Sequence, residues 1–234
     1  MRAATLFIFF SAALASAAHA GVVVHDTVAL KGEAVMLRAE TRGAFFSSPG
    51  QLVQFLVDGK LLGTTLSGGD GVALMEFSPR EAGLHKVEAV WGKETDRGLL
   101  LCVARGEALV LIDVAGSLME DVLSRMPRDG SVEALERIAS ARRVAYVTDA
   151  APARRLLKDW LRDEGYPEAP LLEWAGGRLL DGMASRGVKV RAVVGGEAVA
   201  GASARRGVET FSFEKRPGTR LARDWDEIAD LLRN

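Results

Sequence analysis
The apolar residues of this chain change period near residue 104, and that change limits the fold more than any other feature. Before it, Val35, Leu37 and Ala39 recur at every second position, as do Val53, Phe55 and Val57, then Ala73, Met75 and Phe77, then His85, Val87, Ala89 and Trp91. Alternation of this kind marks strands with one face buried. After it, Ala108-Leu109-Val110-Leu111-Ile112 is a continuous apolar run, which suits a strand covered on both faces of a parallel sheet. One chain carrying both patterns predicts two domains, an all-β sandwich over residues 21–104 and an α/β domain over residues 105–234.

Residues 1–20 predict a secretory signal. Arg2 is the basic start, Leu6-Phe7-Ile8-Phe9-Phe10 opens a short apolar region, and Ala18-His19-Ala20 fits a small-x-small cleavage site before Gly21. The apolar run is shorter than the roughly 20 residues of a spanning helix. The expected product is a periplasmic or secreted protein with no transmembrane segment after cleavage. The full chain has 234 residues and a formal charge of −1, and removal of Arg2 makes that −2. A near-neutral surface of mixed charge gives no basic face for nucleic acid.

The single cysteine, Cys102, excludes an internal disulfide in an exported chain, so the cores must hold the fold. Its place in Leu99-Leu100-Leu101-Cys102-Val103 predicts a buried thiol. Beyond His85 the chain has no histidine. That removes Ser-His-Asp and Cys-His chemistry from the α/β half, and with it His-rich zinc sites. His85 is in phase with Val87 and Ala89 and reads as structural.

In the first half, Asp58-Gly59 between apolar runs predicts a tight hairpin. About seven short strands at roughly ten-residue spacing argue for a sandwich. The stretches Val53-Gln54-Phe55-Leu56-Val57-Asp58-Gly59-Lys60, Gly71-Val72-Ala73 and Pro79 through Val87 resemble a bacterial immunoglobulin-like domain. That resemblance implies a spacer, adhesion or partner-docking role.

In the second half, strands and helices alternate. Strands are expected at 108–112, 143–147, 171–174, 188–194 and 208–213. Helices are expected at 118–126, at 132–141 with Ser131 as cap, from Pro152 through 161, at 177–186, 197–206 and 224–232. This order predicts a doubly wound, Rossmann-like, three-layer domain. Ligands of such sheets sit at the carboxyl ends of the strands, where Asp113, Thr148 and Gly195-Gly196-Glu197 fall. A carboxylate nucleophile, a phosphate-holding hydroxyl and acidic metal ligands are the parts of an aspartate-based phosphotransfer site.

The segments Leu111-Ile112-Asp113-Val114-Ala115-Gly116-Ser117-Leu118, Val147-Thr148 and Val193-Val194-Gly195-Gly196-Glu197 resemble the motifs of the haloacid dehalogenase (HAD) superfamily. Residues 156–172 look like its lipin-type phosphatidate phosphatase branch. The resemblance implies Asp113 as nucleophile, Thr148 on a phosphate oxygen, Asp113 and Glu197 on a weakly held magnesium ion, and a basic residue, Arg178, Arg186 or Lys189, on the ligand. Two family carboxylates are replaced: Ala115 stands where the acid/base belongs, and Gly196 where a metal ligand belongs. Losing the acid/base alone costs on the order of 10²–10⁴ in rate.

Three functional expectations follow. The first is a pseudoenzyme that binds an envelope partner or a phosphorylated ligand. The second is an atypical magnesium-dependent phosphohydrolase that uses Asp113 on a periplasmic phosphate ester or phospholipid. The third makes the sandwich the working part and the α/β domain its scaffold. Asp113 and Thr148 also have plain structural readings as a helix cap and a strand-end hydroxyl.

Overall fold
A computed structural model describes residues 21–233 except 44, 45, 122, 151 and 152. The expected signal at 1–20, and Pro152 as a helix opener, fall outside the described residues. The first half holds strands β1 (Gly21–Val24), β2 (Thr27–Leu30), β3 (Val35–Arg42), β4 (Leu52–Val57), β5 (Lys60–Leu66), β6 (Val72–Phe77), β7 (Gly83–Trp91) and β8 (Glu94–Val103). They form a three-stranded sheet, β1-β3-β6, and a five-stranded sheet, β2-β8-β7-β4-β5. All the pairings are antiparallel except β2 with β8, which run parallel.

The two-residue alternation does what it predicts. Val35, Leu37, Ala39, Val53, Phe55, Val57, Ala73, Val87 and Ala89 all point into one core between the sheets. Each large aliphatic side chain removed from water there contributes about 1.5–3 kcal/mol. Asp58 and Gly59 take φ values of 50° and 75°, the left-handed pair that a two-residue hairpin requires. His85 secures that hairpin: its Nδ1 lies 2.7 Å from Asp58 Oδ2 and its Nε2 lies 3.0 Å from the Glu81 carbonyl. Cys102 is fully buried. The sequence reading left out β1 and β2, because the alternation breaks at His25-Asp26 between them.

The second half holds β9 (Ala108–Asp113), a π-helical turn (Val114–Leu118), β10 (Met119–Asp121), β11 (Met126–Pro127), α1 (Ser131–Ala141), β12 (Arg143–Thr148), α2 (Arg154–Asp163), β13 (Leu171–Glu173), α3 (Gly177–Ser185), β14 (Lys189–Val194), α4 (Glu197–Ala204), β15 (Glu209–Ser212), β16 (Arg220–Leu221) and α5 (Trp225–Arg233). Six strands form one parallel sheet in the order β13-β12-β9-β14-β15-β16. Even-numbered residues of β9, Val110 and Ile112, pack on α1, α2 and α5. Odd-numbered Leu109 and Leu111 pack on α3 and α4. This is the three-layer arrangement expected of a strand buried on both faces.

Two local expectations are corrected. No helix spans 118–126: a π-turn and the β10–β11 hairpin stand there. Asp121 draws the hairpin tip round by accepting from the Leu123 amide at 3.0 Å, and Arg125 takes φ 55°, both incompatible with a continuing helix. Ser131 is not the cap of α1. Gly130 takes that place without a side-chain bond, and the Ser131 hydroxyl is 2.7 Å from the Tyr166 hydroxyl.

The halves are not separate beads. β8 passes into β9 through the turn Ala104–Glu107, held by hydrogen bonds in both directions between its end residues. Val28, Leu30, Leu101 and Val103 on the outer face of the five-stranded sheet share one core with Leu109, Leu111, Ala145, Leu180 and Met183. The sandwich therefore supplies part of the layer that covers one face of the parallel sheet.

Candidate functional site
Strands β9, β12 and β14 carry Asp113, Thr148 and Gly195-Gly196 to the same edge of the sheet. Val147 is the register partner of Asp113, so Thr148 lies one residue beyond it on the neighbouring strand. Position is where the likeness to a phosphotransfer site stops, because the side chains are already engaged.

Asp113 is 7% exposed. Its Oδ2 accepts from the Gly196 amide at 3.0 Å, and the amides of Gly116 and Ala115 are also directed at the carboxyl group. Gly196 is the N-cap of α4, so Asp113 caps that helix from a distant strand, where a negative charge is favoured. Burial pushes the Asp113 carboxyl above its ordinary range, the backbone bonds oppose that, and Asp149 adds a like-charge push upward.

The turns bearing these amides touch through glycine. A methyl group on Gly116 would sit 2.5 Å from Gly196 N and 2.7 Å from Gly196 Cα, and would collide with Asp113 Oδ2. A methyl group on Gly195 would lie 3.1 Å from Asp113 Cβ. The π-turn is pinned from behind as well. Its Ser117 carbonyl accepts from Trp225 Nε1 at 3.2 Å and from Arg128 Nε at 3.3 Å. The Arg128 guanidinium lies 4.5 Å from the Phe213 ring centre. Asp113 thus occupies an amide cradle of the kind an oxyanion would use.

The remaining expected residues do not converge on Asp113. Thr148 is fully buried, its Oγ1 accepts from the Ala150 amide at 3.1 Å, and its carbonyl accepts from Trp174. Glu197, expected to help hold a metal, is 88% exposed and faces Arg216 at 3.4 Å. Lys189 pairs with Ala108 at the amino end of the sheet, about 16 Å of strand away from the carboxyl edge. Arg178 lies in the first turn of α3, and its side chain is exposed. Arg186 closes α3 and bonds the Gly182 carbonyl at 3.0 Å.

Among the described residues no group of three or more His, Cys, Asp or Glu is placed to hold a metal ion. The donor set here is a poor fit to magnesium: one Asp113 oxygen accepts from the Gly196 amide, and the exposed Glu197 carboxylate faces Arg216.

Sequence reasoning missed the polar seam between the halves. Asp26, whose side chain is 0% exposed, accepts from Leu99 N at 2.8 Å, Leu171 N at 2.8 Å and Lys158 Nζ at 2.7 Å. Beside it, Arg154 NH1 donates to His25 Nδ1 at 2.8 Å, and Arg154 NH2 donates to Glu173 at 3.0 Å. A guanidinium only donates, so His25 carries its proton on Nε2, 2.8 Å from Glu40 Oε1. The His25 ring at that distance, with help from Arg42, holds the Glu40 carboxyl far below the usual carboxylate range. The one sequence signal was Asp26 itself, a lone acid inside an apolar run.

No protein-family model and no curated protein matches the chain. Among solved structures, the D00-D0 domain of intimin matches with TM-score 0.30 and 15% identity, covering 37% of this chain and 48% of that one. The fibronectin(III)-like modules of Clostridium thermocellum CbhA match with TM-score 0.25 and 18% identity, over 36% of this chain and 97% of theirs. A carbohydrate acetylesterase from Xanthomonas citri matches with TM-score 0.34 and 12% identity, over 83% of this chain and 59% of that one. The chain spans about half the length of the intimin structures it matches. The N-terminal domain is a β-sandwich of a three-stranded and a five-stranded sheet. Among the described residues no helix is long and apolar enough to cross a membrane.

Proposed function
We propose that this is an exported envelope protein whose α/β domain is a HAD-like pseudoenzyme, working by binding a partner or phosphorylated ligand and not by turnover. The observation that carries the reading is the Asp113 carboxylate seated in the amides of Gly196, Gly116 and Ala115. A nucleophile has to face the substrate, and here the group faces its own backbone. The strand order, with Asp113 at the end of the central β9, supports the likeness to the family. Ala115 in place of the acid/base, and the poor fit to magnesium, support loss of activity.

The test is hydrolysis of p-nitrophenyl phosphate with magnesium, comparing the native chain with Asp113→Asn. Equal background rates are expected. Magnesium-dependent turnover abolished by Asp113→Asn would overturn the reading in favour of an atypical phosphohydrolase. That second reading has one observation on its side: Asp149 lies close enough to Asp113 to raise it, so a second carboxyl group stands at the same edge.

A further inference from the structure
We infer that His85 is a pH-sensitive latch, which ties the β4–β5 hairpin to the β6–β7 loop at low pH and lets that loop go as pH rises. The ring has an acceptor at each nitrogen. Asp58 Oδ2 lies 2.7 Å from Nδ1, and the Glu81 carbonyl oxygen lies 3.0 Å from Nε2. Burial pushes the Asp58 carboxyl up, but its bonds with His85 and the Lys86 amide outweigh that and hold it below its ordinary range. It is therefore ionised and only accepts. Filling both bonds takes two ring protons, which only the imidazolium has. A neutral ring fills one. The carboxylate is the stronger acceptor, so the proton stays on Nδ1 and the Glu81 bond is the one that breaks.

That bond carries the loop. Among the described residues, the backbone of Arg80, Glu81 and Ala82 makes no other hydrogen bond. The loop is anchored only at its ends. The Pro79 carbonyl accepts from Gly32 N at 2.9 Å, and Gly83 pairs with Cys102. Gly83 takes φ 134°, and a methyl group there would meet nothing within 4 Å, so the β7 end of the loop is a hinge open to movement. Hairpin and loop line one cup of roughly 310 Å³, together with the apolar side chains of Leu62 and Phe77. Releasing the loop widens that cup.

The charged groups around the ring come from three elements. Asp58 and Lys60 belong to the hairpin, Arg80 and Glu81 to the loop, and Lys86 follows His85 on β7. Strand β8 sets the apolar Leu100 opposite the ring. Burial pushes the His85 ring down, and Asp58 with the Glu81 carbonyl outweighs that and holds it above its ordinary value. The latch is therefore closed below the ordinary imidazole value of about 6.5 and opens as pH rises through the higher folded one. None of these residues belongs to the α/β domain, so the inference stands apart from the pseudoenzyme reading.

The test is an NMR pH titration of the full chain, following the ring nitrogens of His85 and the backbone order parameters of residues 80–82. The expected result is two protonated ring nitrogens at about pH 6, a midpoint above about 6.5, and order parameters that fall through that same midpoint. Asp58→Asn, which the left-handed φ of 50° tolerates, should move the midpoint about 1 pH unit lower. His85→Gln should leave the loop insensitive to pH. Three results would overturn the inference: a midpoint at or below about 6.5, loop order parameters that do not change through the midpoint, or a pH response of the loop retained in His85→Gln.

Discussion
Replacing Asp26 by alanine tests the seam most directly. The native carboxylate is wholly removed from solvent and accepts three hydrogen bonds, two from backbone amides of opposite halves. Alanine leaves the Leu99 and Leu171 amides without an acceptor, and each such buried donor costs about 1–3 kcal/mol. The Lys158 side chain is 29% exposed, so its ammonium turns to water and adds little. The sum is about 2–6 kcal/mol, a span that includes the cost measured for breaking a buried pair. Asp26→Asn retains one acceptor oxygen at the same volume and should lose roughly half as much. The assay is equilibrium unfolding in urea followed by tryptophan fluorescence, with the slope checked for constancy. A loss below about 1 kcal/mol for Asp26→Ala would show that the amides find other partners and that the seam does not depend on this residue.

Three further outcomes are expected. Gly116→Ala forces a methyl group into Gly196 and Asp113, where no flexible side chain can yield except Asp113 itself. It should cost at least about 2 kcal/mol and lower the melting temperature by several degrees, and an unchanged melting curve would refute the glycine contact. Glu40 has its folded pKa depressed by His25, so its contribution is present above the unfolded value near 4.5 and is lost as pH falls below it. Stability of the native chain should therefore drop more steeply than that of Glu40→Gln between pH 5 and about 2, and parallel curves would count against the His25 pairing. Asp113 has the opposite sign: its pKa is raised in the fold, so its burial costs stability as pH rises from about 4. Asp113→Asn should compare more favourably with the native chain at pH 7 than at pH 4, a difference readable from urea midpoints at the two values.

What the sequence disclosed and what it hid have a common physical cause. The β9 run, the alternation of β3 and β4 and the Asp58-Gly59 turn are local signals, each set by residues within ten positions. They placed the sandwich and the parallel sheet. The strand-end position of Asp113 was legible in the same way. Its engagement was not, since Gly196 lies 83 residues on. The bonds of Asp26 span 73 and 145 residues and leave no periodic trace. The β10–β11 hairpin was hidden by a different cause: Leu118 and Met126 fall at helical spacing, and the Asx turn at Asp121 overrode it.

The shared apolar layer between the five-stranded sheet and β9 has a consequence for how the chain comes apart. The point at which the sequence changes character, the turn Ala104–Glu107, is not a seam along which the folded molecule divides. A protease that cut this turn would sever a peptide bond without parting the pieces, because Val28, Leu30, Leu101 and Val103 would remain locked against Leu109 and Leu111. The nicked protein would migrate as one particle under native conditions and as two only after denaturation. Either fragment expressed by itself would expose its side of that shared apolar layer to water.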